Sequence, residues 1–101
     1  MEVDEAFAAR DASALAAKLA DLKDGAEDDS DVQLMRKRLY RTLMSFVRKM
    51  MLSSGAAGVR ALPRWQAFRN IEAVEDAFRQ SERSMNDEAV LSFMLDRIVF
   101  P

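Results

Sequence analysis

Only three glycines and two prolines interrupt the 101 residues of this chain, and no other feature limits its fold so strongly. A domain of many short strands needs a turn signal every few residues, whereas long helices need few. The apolar spacing agrees. Val3, Phe7, Leu15, Leu19 and Leu22 recur at three- and four-residue intervals apart from one gap at Arg10-Asp11. Asp11 suits an N-cap, so the reading is a short helix over about 2–9, a bend and a second helix over about 12–23. A single kinked helix is the alternative. Asp24-Gly25 ends this segment, and glycine is the usual helix stop.

Residues 24–31 carry five acids, at positions 24, 27, 28, 29 and 31. Calcium loops need alternate oxygen ligands, a mid-loop glycine and a closing glutamate, and this run lacks that spacing. It reads as a solvated loop that starts a helix, with Ser30 or Asp31 as cap. The strongest helix follows from about Asp31 to Ser53. Val32, Met35, Leu39, Leu43, Phe46, Val47 and Met50 share one side, and Lys37, Arg38, Arg41, Arg48 and Lys49 cluster on the other. Tyr40, Met44 and Met51 widen the apolar arc to about half the circumference, which suits a helix with two or more neighbours. Ser53-Ser54-Gly55-Ala56-Ala57-Gly58 reads as a small-residue turn, without the Gly-Lys-Ser/Thr of a phosphate loop.

Pro63 opens the next helix, with Trp65, Phe68, Ile71, Val74 and Phe78 facing inward. Ser84-Met85-Asn86-Asp87-Glu88 marks a break and a new start capped by Asn86. The last helix carries Val90, Leu91, Met94, Leu95 and Ile98. The expected fold is all-α, one domain over residues 1–101, a bundle of four to five helices. Its expected core joins Leu39, Leu43, Phe46, Trp65, Phe68, Leu91 and Leu95.

The residue inventory excludes much chemistry. With no cysteine there is no disulfide or thiolate metal site. With no histidine, the commonest general base and the Ser–His and Cys–His pairs are missing. Ser45 and Lys49 stand four apart, but that lysine lies on the charged face, where it is not desolvated. Glu72, Glu75 and Asp76 form a solvated helix surface. The reading is no catalytic residue, no metal and no cofactor. No apolar run approaches the roughly 18 residues of a membrane span, and the acidic Met-Glu-Val-Asp-Glu start lacks a secretion signature. The expected location is the cytoplasm, without a membrane partner.

Charge is uneven. Residues 1–31 hold ten acids and three bases, residues 32–64 eight bases and no acid, and residues 65–101 seven acids and four bases. The basic middle either binds acidic helices, within or between chains, or faces another partner. Tyr40, Met44 and Met51, flanking the core stripe, with Arg41 and Arg48, are the candidate protein interface. The alternative is a phosphate-binding strip of Arg36, Lys37, Arg38, Arg41, Arg48 and Lys49. No base-reading motif accompanies it, and an acidic pI of about 5.1 opposes free nucleic-acid binding.

Three stretches are similar to the C-terminal helical collar domain of bacterial DNA polymerase III clamp-loader subunits. These are Ala6-Phe7-Ala8-Ala9-Arg10-Asp11-Ala12-Ser13-Ala14-Leu15, the run from Leu39 to Lys49, and Arg83 to Ile98, where Asn86 starts a leucine-bearing last helix. The resemblance implies a helical domain that joins subunits into a ring for DNA replication. These residues contain no nucleotide-binding domain, so it implies no ATP hydrolysis. The partner is then the chain itself or related subunits. A helical adaptor or chaperone-like module for another protein, and a nucleic-acid-binding module, are the other classes.

Overall fold

The computed structural model describes residues 2–25, 27–53, 61–83 and 86–101. Among them are five helices and no strand: α1 (Val3–Ala8), α2 (Ala12–Asp24), α3 (Asp29–Ser53), α4 (Arg64–Arg83) and α5 (Asp87–Arg97). The chain is an all-α bundle. Helix α3 packs on α2 and α4, α4 packs on α5, and α5 returns to α2. Four helices thus close around one core, and α1 lies against α2. The expected turn beyond Ser53 and the expected break at Ser84-Met85 lie outside the described residues.

Local chemistry sets the helix ends. Arg10 has φ 57°, in the left-handed region. Its N–H donates to Phe7 O at 3.0 Å, and the Asp11 N–H donates to Ala6 O at 2.9 Å. These two bonds make a helix stop of the kind usually built on glycine, so α1 and α2 are separate helices and not one kinked rod. Asp11 then caps α2 by accepting from the Ala14 N–H at 3.0 Å, and Asn86 caps α5 by accepting from the Ala89 N–H at 3.1 Å. Each such cap contributes about 1 kcal/mol. Helix α3 starts earlier than expected. Its cap is Asp28, which accepts from the Asp31 N–H at 2.9 Å, while Asp31 reaches back to the Glu27 N–H. At the end of α2, Gly25 has φ −85°, so its stop does not use the freedom of glycine.

The core joins Phe7 of α1, Leu15 and Leu19 of α2, Leu39, Leu43 and Val47 of α3, Val74 of α4, and Leu91, Met94 and Leu95 of α5. Full burial of each large side chain contributes roughly 1.5–3 kcal/mol. Phe46 is half-buried, its ring 5.4 Å from that of Phe7.

Helix α4 departs from expectation. Trp65 is 62% exposed and Phe68 54% exposed, so neither belongs to the core. The buried stripe is instead Gln66, Ala67, Asn70, Ala73, Val74, Ala77 and Ser81. Helix α4 is wedged between α3 and α5, and short side chains let it approach both. A tryptophan and a phenylalanine in that seam would hold the helices apart.

One polar side chain in the stripe organises the C-terminus. Asn70 is 1% exposed. Its Nδ2 donates to Val99 O at 2.9 Å, and its Oδ1 accepts from the Val99 N–H at 3.0 Å and from Gln66 Nε2 at 3.0 Å. The amide thereby satisfies both main-chain groups of Val99, as a neighbouring strand would. The clip sets Phe100 beside α1, with ring centroids 5.2 Å from Phe7 and the Arg10 guanidinium 4.5 Å above the Phe100 ring.

Candidate protein-binding surface

Helices α3 and α4 pack side by side and leave a groove on their outer face. One part of it is a cavity of about 320 Å³ lined by Lys37, Tyr40, Arg41 and Met44 of α3 and by Val74, Glu75 and Phe78 of α4. A second depression shares Arg41 and Met44 and continues past Ser45, Arg48 and Lys49 to Leu52. A third, about 460 Å³, lies between Met51 and the start of α4, at Leu62, Arg64, Ala67 and Phe68. Residues 37, 41, 44, 48 and 51 follow one line along a helix, so all three hollows touch one stripe of α3; the first and third border α4, and the second is lined by α3 alone. From Lys37 to Met51 that face runs roughly 21 Å.

The floor is apolar and the α3 wall is cationic. Lys37, Arg38, Arg41, Arg48 and Lys49 are all exposed. Among the described residues the ion pairs are Lys23 with Asp87, and Arg79 and Arg97 with Asp76. None engages the α3 strip. The acidic residues at the start of α3 therefore do not neutralise the basic face within the folded chain. Glu75 is the one acid lining the first cavity, and it sits on the α4 wall.

Two candidate residues lie elsewhere than expected. Tyr40 is 3% exposed and belongs to the core, its ring edge-on to Phe78 at 5.5 Å. It floors the groove but cannot project from it, because α4 covers its flank. Arg36 is 8% exposed and is not part of the exposed strip. It falls on the line of Leu39, Tyr40, Leu43 and Val47, which carries it under the neighbouring helices. Met44 and Met51 are half-buried along the groove, and Arg41 and Arg48 project at its rim.

Burial of Tyr40 and Arg36 creates a polar pocket of the core that the sequence did not suggest. Lys23 of α2 bonds Asp87 Oδ2 of α5. Asp87 Oδ1, Arg36 Nε and Tyr40 Oη are buried without a hydrogen-bond partner among the described residues. Removal from water pushes the Tyr40 phenol up to about 12, and the negative Asp87 adds to the shift. The Ser81 hydroxyl opposes it, but that hydroxyl donates to Phe78 O at 2.6 Å, and no Tyr40 hydrogen bond reaches normal geometry.

Among the described residues no three acidic side chains converge on a point that would hold a metal ion, and no helix is long and apolar enough to cross a membrane. Comparison with protein families, curated proteins and solved structures finds no match.

Proposed function

We propose that this chain is a non-catalytic helical module that associates with proteins, either copies of itself or related subunits, through the outer face of α3 and α4. The observation behind this reading is an apolar groove lying directly beside exposed cations that have no intramolecular ion pair among the described residues. Apolar floors flanked by charge are the anatomy of protein interfaces, where the buried centre supplies affinity and the rim sets orientation and on-rate. The absence of histidine and cysteine from the sequence supports a non-catalytic role. The narrower form, drawn from the resemblance described above, is a collar segment of a replicative clamp loader in the cytoplasm. A second reading uses the same unpaired cations, Lys37, Arg38, Arg41, Arg48 and Lys49, as a phosphate-binding strip for nucleic acid.

Sedimentation over a range of concentrations, for the wild type and for Met44→Glu, tests the proposal. Concentration-dependent association that Met44→Glu abolishes, with helicity unchanged, is the expected result. Reversing Arg41 and Arg48 should weaken association less, and mostly at low salt. A wild type that stays monomeric yet binds single-stranded or duplex DNA, with affinity falling steeply as salt rises, would refute it in favour of the phosphate reading.

A further inference from the structure

Resting on the protein-binding reading above, we infer that the occupant of the α3–α4 groove is an acidic amphipathic helix of about four turns. Length, floor and charge each support this. The groove face of roughly 21 Å matches about 14 helical residues. Its apolar surface is Met44 and Phe78 at one end and Met51 and Phe68 at the other, which together can take side chains at i, i+4, i+7 and i+11 of a guest helix. Methionine suits such a floor because its unbranched side chain adjusts to the guest. The two walls are electrically unlike at the first hollow. Among the described residues Lys37, Arg41 and Arg48 make no ion pair along α3, whereas Glu75 stands opposite on α4, whose one cation at the groove, Arg64, lies at the far end. An extended run of acids would meet Glu75. A helix that confines its carboxylates to one flank sets them against α3 and keeps them away from Glu75.

The probe is a fluorescein-labelled peptide of roughly 16 residues with leucines at helical spacing, glutamates on one flank and glutamines on the other. The full chain is titrated into it at low salt. A control peptide carries lysine in place of each glutamate. The acidic peptide should bind at least about tenfold more tightly than the lysine peptide. Met44→Glu should weaken binding at least about 30-fold, and Arg41→Glu about tenfold. Glu75→Lys should strengthen binding by about threefold, which a purely apolar groove would not do. Far-ultraviolet dichroism and the melting temperature confirm that each variant is folded, and Glu75→Lys keeps the test decisive if Met44→Glu is not.

Equal affinity for the two peptides overturns the inference. So does unchanged affinity in folded Met44→Glu, or displacement of the acidic peptide by single-stranded DNA at moderate salt. If the peptide fails while the wild type still self-associates in a Met44-dependent way, the acidic-helix inference is wrong and the protein-binding reading stands. If both fail, the reading falls with it.

Discussion

Replacing Asn70 with alanine should unfasten the C-terminal segment at a cost of about 2–4 kcal/mol. The amide forms two bonds with the Val99 main chain, at 2.9 and 3.0 Å, each contributing a net of about 0.5–1.5 kcal/mol. Gln66 is buried and would lose the acceptor for its Nε2, which adds on the order of 1 kcal/mol. The loss is bounded because Val99 is partly exposed, so its freed N–H and carbonyl regain water. In a domain of this size such a loss lowers the melting temperature by at least about 8 °C. Urea unfolding should be followed by far-ultraviolet dichroism, because Trp65 is already exposed and reports poorly on the core. Asn70→Asp sharpens the test. A carboxylate keeps the acceptors but cannot donate to Val99 O, and burial favours its neutral form, so its folded pKa lies above the unfolded value of about 3.9. The variant should therefore be closest to wild type near pH 4 and fall progressively behind as pH rises. A loss below about 1 kcal/mol for Asn70→Ala, together with a pH-independent deficit for Asn70→Asp, would show that the clip does not hold the tail.

Tyr40 is the only tyrosine, so tyrosinate absorbance in an alkaline titration reports on it alone, and its midpoint should lie near 12. The unfolded chain ionises near pH 10, so stability is lost between about pH 10 and 12, by up to about 2.7 kcal/mol, and Tyr40→Phe should remove that loss. Leu43→Ala should cost about 2–5 kcal/mol in urea unfolding, because Leu43 is fully buried, whereas Trp65→Ala should cost less than about 1 kcal/mol. Arg10→Gly relieves a left-handed conformation but loses the contact over Phe100, so it should stay within about 1 kcal/mol of wild type by thermal melting. Arg10→Val should be clearly less stable, because a β-branched residue tolerates that φ poorly.

Caps and unmixed apolar stripes were legible from sequence. Asp11 and Asn86 announce the starts of α2 and α5, and the stripe of Val90, Leu91, Met94 and Leu95 is buried along its whole length. Helix α4 was misread because hydrophobic periodicity weights large side chains. Trp65, Phe68 and Ile71 form one stripe, yet apart from Gln66 and the expected Val74 the buried stripe beside it is made of alanine, asparagine and serine, whose signal is closeness of approach and not apolar area. The repeat of short residues at 67, 70, 73, 77 and 81 was the available clue. Arg36 and Tyr40 show the same difficulty in α3. The charge of Arg36 suggests a surface and Tyr40 reads as a flank of the core stripe, although both fall on the line of Leu43 and Val47, where position outweighs chemistry. The groove was half legible. Met44, Met51, Arg41 and Arg48 share one stripe of α3 that helical spacing alone predicts, but its second wall, Val74, Glu75 and Phe78, depends on how α4 is rotated.

The contact between Phe7 and Phe100 brings the first helix and the last segment into one aromatic cluster. The path of the chain from α1 to Phe100 is therefore nearly a loop. A permuted chain joined by a short linker between the present ends, and cut just before Glu27, ahead of the Asp28 cap of α3, would keep the same neighbours throughout the core. Each helix would meet the same faces in a different order of synthesis, so such permutants would separate what packing determines in this bundle from what chain connectivity determines.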